Sequence, residues 1–344
     1  MNIALDRKFE EEYHKDLIIN VSSVYSETIK TNVNVKTLGK ISSGCTILAI
    51  HDVGTNHQDL HDFFMLRTMR PITNRIFTIF VDMPGHEKGA KPIKNREYPS
   101  LHSLSESLID VLKHFRIKSV VLFGEGAGAN ILSRLMICHP NMVNACCFIN
   151  AHSDCSSFLD YIKDKITPKK SDYMNYLVSH RYGKRVSVDL KPLVDEYKVN
   201  YGKNIEDENI NHYIDAYMRR TSIAIVNKIT HPILLITGKN SLHNDQAEKF
   251  YIKLLKHSSD KSVVEFLDLD GISNPLREQP KKVTESLQYL LQGIGFIASA
   301  PLRHRPSFSK NRSMSMDYYD IPKYLKKTST DMSEKMTDCM KESD

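Results

Sequence analysis

Short apolar runs rich in β-branched residues recur along the chain with amphipathic stretches between them. The run Thr46-Ile47-Leu48-Ala49-Ile50-His51 is continuous rather than alternating, the mark of a strand buried on both faces of a parallel sheet. The same pattern returns at residues 76–81, 119–123, 145–149, 232–237 and 263–267. Residues 17–24 and 33–37 come earlier, are also rich in β-branched side chains, and read as two opening strands separated by polar turns. Amphipathic stretches at 101–115, 131–138, 247–256 and 280–291 read as helices. Strand alternating with helix predicts the α/β class with a mostly parallel, doubly wound sheet.

The rhythm fails in two places. Residues 153–230 lack buried-strand runs and are rich in Lys, Asp, Asn and Tyr, which predicts a helical cap insertion whose clearest helix covers 206–225. After Gly295 the chain turns basic and serine-bearing: Arg303, Arg305, Lys310 and Arg312 alternate with Ser307, Ser309, Ser313 and Ser315. Such a segment buries too little surface to offset its ordering entropy, so residues 301–344 are expected to be a disordered tail. The expected organisation is therefore an N-terminal arm and first strand at 1–30, an α/β domain built from 31–152 and 231–300, the cap at 153–230, and the tail.

Composition narrows the picture. With 344 residues, 41% hydrophobic and 26% charged, the chain has the make-up of an ordinary globular protein with a sizeable core. The net charge of +6 is mild and part of it sits in the tail, so nucleic acid is not an expected partner. The six cysteines form no C-x-x-C pair, and Cys146 and Cys147 are adjacent in an apolar strand, facing opposite ways. They read as buried, reduced thiols of a cytosolic protein. Fifteen histidines include no H-E-x-x-H motif, so neither a metal nor a cofactor is expected. The N-terminus is charged, and no apolar run approaches the roughly 20 residues that span a bilayer, which predicts a cytoplasmic location.

The candidate chemistry lies at Gly124-Glu125-Gly126-Ala127-Gly128-Ala129, between a strand run and a helical stretch. This is the layout of the G-x-S-x-G nucleophile elbow of α/β-hydrolases, in which a strained turn lifts the nucleophile above the sheet. Gly126 stands at the nucleophile position. The acid position, in a turn after residues 233–237, holds Ser241, and the histidine position, after residues 263–267, falls at Gly271. All three vestigial triad positions lack a catalytic side chain, so serine-hydrolase chemistry is not expected. His243, Asp245, His152 and Ser153 lie in nearby loops, where they either face the pocket as displaced acid/base groups or are simply solvated. His51 and Asp52 sit at the oxyanion loop, where Asp52 replaces the usual glycine and places a carboxylate against any developing oxyanion. Together with Glu125, His152 and His243 they are the candidate pocket-lining residues. Gly124-x-Gly126-x-x-Ala129 also fits the dinucleotide fingerprint, but residues 144–150 offer no acid for the ribose and the motif follows a late strand.

Several longer motifs carry a family resemblance: His-Asp-Val-Gly-Thr-Asn at 51–56, Val-Asp-Met-Pro-Gly at 81–85, Tyr-Pro-Ser-Leu at 98–101, Gly-Glu-Gly-Ala-Gly-Ala at 124–129, and Leu-Leu-Gln-Gly-Ile-Gly-Phe-Ile-Ala-Ser at 290–299 followed by the basic serine-bearing tail. With them the chain resembles the N-myc downstream-regulated gene (NDRG) family. The resemblance implies an α/β-hydrolase fold without hydrolase activity, a cytoplasmic location, and signalling roles in stress response, growth and differentiation exerted through protein partners. The chain departs from the family pattern in having no tryptophan, and in placing Phe308 where an Arg-x-Arg-x-x-Ser/Thr kinase site needs its acceptor. Lys310 and Arg312 stand three residues before Ser313 and Ser315, which makes these two serines the candidate phosphorylation sites. The Arg303, Arg305, Lys310 and Arg312 cluster is expected to give weak contact with anionic membranes.

Overall fold

The apolar runs become eight strands in one sheet: β1 (Ile19–Ser26), β2 (Thr31–Leu38), β3 (Thr46–Ile50), β4 (Phe77–Asp82), β5 (Val120–Glu125), β6 (Val143–Ile149), β7 (Ile233–Gly238) and β8 (Val264–Leu269). The structure, a computed structural model, describes residues 19–93, 98–154, 170–183 and 186–297. Spatial order is β1-β2-β4-β3-β5-β6-β7-β8. The β1–β2 and β2–β4 pairs are antiparallel and all other neighbours are parallel. Every residue of β3, β4, β5 and β7 is buried, which is why these strands read as unbroken apolar runs.

The helices are α1 (His57–Phe64), α2 (Arg70–Thr73), α3 (Leu101–His114), α4 (Gly126–Cys138), α5 (Lys170–Tyr182), α6 (Lys191–Asn204), α7 (Asp207–Met218), α8 (Asn244–His257), α9 (Pro275–Glu278) and α10 (Pro280–Gly293). Side-chain caps fix several starts: Asn56 accepts the Gln58 N–H ahead of α1, and Ser100 accepts the Ser103 N–H ahead of α3. Phe63 and Phe64 of α1 pack on Phe80 and Phe123, with ring centroids 5.2–5.8 Å apart, and so pin α1 across β4 and β5.

Two helix boundaries differ most from the sequence reading. The helix expected from residue 131 begins at Gly126, because the glycine turn is itself the first helical turn. The helix expected over 206–225 stops at Met218. There the Arg220 guanidinium folds back onto the Tyr217 carbonyl, and the chain runs extended so that the Ile223 N–H reaches the Ser153 carbonyl. Between β6 and β7 the described residues hold α5, α6, α7 and a short 3-10 turn at Val188–Leu190, with no strand. No helix among the described residues is long and apolar enough to cross a membrane. The tail at 301–344, including Ser313 and Ser315, lies outside the described residues, as do residues 1–18.

The order β4-β3-β5 places a winding reversal between β3 and β5. In an open α/β sheet this is where a crevice opens beyond the carboxyl ends of the strands, and both the elbow and the His51–Asp52 loop emerge there.

Candidate functional site

The elbow is a tight turn from β5 into α4. Gly126 has φ 51°, a left-handed conformation that strains any residue with a side chain. A Cβ at Gly128 would lie 2.3 Å from the Ile50 carbonyl oxygen, so glycine there lets α4 start directly against the end of β3. The geometry of a nucleophile elbow is present without the nucleophile.

The space above Gly126 is filled from the neighbouring loop. A Cβ added at Gly126 would lie 2.1 Å from Asp52 Oδ1, and every atom of that carboxyl group falls within 2.3 Å. Asp52 Oδ1 accepts the N–H of Ala127 at 2.7 Å and that of Val53 at 2.8 Å. In this fold the N–H after the nucleophile and an N–H from the loop after β3 are the donors that receive an oxyanion. Here an internal carboxylate holds both. Its second oxygen, Oδ2, takes a hydrogen bond from His180 Nε2 at 2.7 Å. Burial works against the charged form of Asp52, but the His180 ring and the two backbone donors outweigh it and hold the carboxyl below its ordinary range.

From Asp52 a chain of rings runs deeper. His243 Nε2 and His180 Nδ1 share a hydrogen bond at 2.8 Å, and the Tyr176 hydroxyl reaches the same nitrogen at 3.1 Å. His152 stacks on His243 with centroids 4.7 Å apart, and its Nε2 accepts from Arg220 at 2.7 Å and from the Tyr217 hydroxyl at 2.9 Å. Burial, helped by the His243 ring at His152 and by the His180 ring at His243, pushes both well below the usual histidine range, so both are neutral at neutral pH.

A second network meets the elbow at Glu125. Arg181, next to His180 on α5, pairs with Asp59 of α1 at 2.6 Å, and Arg277 of α9 holds the other Asp59 oxygen. Arg181 also faces Glu125 at 3.7 Å, while Asn274 donates to Glu125 at 2.9 Å. Burial pushes the Glu125 carboxyl up to about 7; Arg181 opposes the shift, and the carboxylates of Asp59 and Asp52 add to it. The folded state therefore binds this proton more tightly than the unfolded chain, whose ordinary carboxyl value is 4.5. The stability it contributes is full below about 4.5 and is lost as pH rises through about 7. Relative to Glu125→Gln, the wild type is expected to lose about 1–3 kcal/mol between pH 5 and 8. Thermal unfolding followed by circular dichroism checks this, and parallel pH profiles for the two proteins contradict it.

Of the residues singled out from sequence, the structure gathers His51, Asp52, Glu125, His152 and His243 around the elbow, all buried. His51 is structural: Nδ1 donates to the Asp52 carbonyl at 2.8 Å, Nε2 accepts the Met83 N–H at 3.1 Å, and burial lowers its pKa. His152 and His243 are not solvated loop residues, whereas Asp245 is exposed on the first turn of α8. Ser241 is buried and its hydroxyl accepts the His243 N–H at 3.2 Å. Gly271 sits exposed in the turn after β8, and the residue from that loop that reaches the elbow is Asn274. Sequence reasoning missed His180, Arg181, Asp59, Tyr217 and Arg220. The only local signal was the adjacent His-Arg pair inside a stretch with no apolar periodicity.

An eight-stranded sheet with a glycine elbow at its winding reversal defines an α/β-hydrolase-fold protein. Solved structures agree at the level of fold. A hydrolase from Pseudomonas aeruginosa superposes with a TM-score of 0.62 at 12% identity, over 79% of this chain and 98% of that one. Potato epoxide hydrolase I gives 0.59 at 16% identity, over 80% and 100%. Residues 23–298 match the Ndr family, and the chain belongs to it. It is 27% identical over 270 residues to Protein NDRG3 of Xenopus tropicalis, covering 75% of this chain and 69% of that protein. It is 28% identical over 279 residues to Protein NDRG2 of Bos taurus, covering 78% and 75%.

Proposed function

We propose that this chain is a non-catalytic member of the Ndr family, a cytoplasmic adaptor that works through its surface, the helices between β6 and β7, and its basic tail in signalling linked to stress response, growth and differentiation. The observation that carries the non-catalytic half is the Asp52 carboxylate. It takes the space of the nucleophile side chain and both of the donors that would stabilise an oxyanion. Purified protein is expected to stay unlabelled by fluorophosphonate probes and to hydrolyse short-chain esters no faster than Gly126→Ala. Saturable esterase activity abolished by changing His243 or His152 overturns the reading. The adaptor half is tested by affinity capture with the full chain and with 301–344 deleted.

A second reading, a small-ligand sensor at the same site, draws on the buried His152 Nδ1, which has no hydrogen-bond partner. A metabolite that raises the melting temperature of the wild type but not of His152→Phe would favour it.

The tail gives a separate expectation. Phosphorylation of Ser313 and Ser315 would add about −1.5 to −2 charges each and cancel the Arg303, Arg305, Lys310 and Arg312 cluster. Binding of the full chain to anionic vesicles is expected to weaken in the Ser313→Glu, Ser315→Glu double variant and to fall with salt. Equal affinity for the two proteins, or none for the wild type, retires the electrostatic switch and leaves the tail as a spacer.

A further inference from the structure

Away from the elbow, the outer ends of α3 and α4 bring together three side chains of metal-ligating type. His102 and Glu106 are four residues apart on α3, so they share one face of the helix. Cys138 is the last residue of α4 and is a free, exposed cysteine. A ring nitrogen of His102, a carboxylate oxygen of Glu106 and the Cys138 sulfur all lie within 4.8 Å of one another. The next residue, His139, points its Nε2 at the same carboxylate, 2.9 Å and 3.1 Å from the two Glu106 oxygens.

We propose that His102, Glu106 and Cys138 form a surface site for a zinc-class divalent cation that clasps α3 to α4, with His139 as the positioning residue for Glu106. The donor set is one imidazole, one carboxylate and one thiolate, which suits zinc; calcium and magnesium prefer all-oxygen ligands. Bonds of about 2.0–2.3 Å put the ligand atoms of one ion less than about 4.6 Å apart. Small side-chain rotations at this half-exposed surface therefore close the site. Two features favour a cation there. The carbonyl end of α4 supplies the negative end of a helix dipole. The His139 N–H holds the ligating carboxylate in place, as hydrogen-bond partners behind metal ligands commonly do. Arg134, the nearest cation on α4, turns its guanidinium to Asn130 and Thr221. Three protein ligands leave a fourth position for water or an incoming ligand.

The sequence reading expected no metal because the chain has no H-E-x-x-H motif. The site instead takes a His-x-x-x-Glu pair from α3 and a cysteine from a helix that is adjacent only in the fold.

The test is the rate of Cys138 alkylation by N-ethylmaleimide in the full-length protein at chelator-buffered Zn²⁺, read on the Cys138 peptide by mass spectrometry. Zinc is expected to slow modification of Cys138 at least tenfold in the wild type, independently of protein concentration. The protection is expected to vanish in His102→Ala and Glu106→Gln, and to need about 10–100-fold more zinc in His139→Ala. Circular dichroism of each variant confirms that it is folded. No protection of Cys138, protection unchanged in both ligand variants, or protection that grows with protein concentration through bridging between copies would each overturn the site.

Discussion

Replacing Asp52 by alanine is expected to destabilise the fold by about 3–5 kcal/mol, the usual loss when one member of a buried charged network is removed. The carboxylate receives the N–H groups of Ala127 and Val53 and the Nε2–H of His180, so its loss leaves three buried donors without an acceptor. It also leaves a cavity lined by those donors at the N-terminus of α4, a setting that favours a small anion. Formate or acetate is therefore expected to restore part of the lost stability in Asp52→Ala and to leave the wild type unchanged. Asp52→Asn keeps an oxygen for the two backbone donors and is expected to cost less, about 1–2 kcal/mol. Thermal unfolding by circular dichroism is the suitable readout, because the chain has no tryptophan. A loss below about 1 kcal/mol in Asp52→Ala would mean that the carboxylate is not the acceptor that closes the elbow.

Gly126→Ser is the second large effect, and it arises from the same crowding. Serine at φ 51° is strained by about 1–2 kcal/mol, and its Cβ would collide with the Asp52 carboxyl. Displacing that carboxyl adds a cost of the kind set out above, so a total above about 3 kcal/mol is expected. The hydroxyl would still lack a base, because both ring nitrogens of His180 are engaged, Nε2 with Asp52 and Nδ1 with His243 and Tyr176. Ester hydrolysis is therefore expected to stay at the wild-type level. Turnover rising with the serine, and reacting with fluorophosphonate, would contradict the view that the base is absent.

The sheet was legible because burial on both faces of a parallel strand leaves a continuous apolar run that little else in the sequence imitates. The glycine elbow was legible through its spacing after β5. What fills the space above it was not. Asp52 looked like a repulsive charge at an oxyanion loop, and only the fold shows that the N–H of Ala127, distant in sequence, closes on it. His180 and Arg181 lie in a helix whose polar sequence reads as a solvated surface. They are buried because Asp52, Asp59 and Glu125 compensate their polarity, and pairing across such distances leaves no periodic trace. Gly271 misled for a simpler reason, since loop length after β8 decides which residue turns inward, and here that residue is Asn274.

The most direct measurement of the closed elbow is a double-mutant cycle of Gly126→Ser and Asp52→Ala. With Asp52 shortened, the serine side chain gains the space and the two N–H donors that the carboxylate held. The double variant is expected to be more stable than the sum of the single losses by about 1–3 kcal/mol, the range for side chains in direct contact. Additivity within about 0.5 kcal/mol would show that the Asp52 carboxylate does not occupy the nucleophile's place.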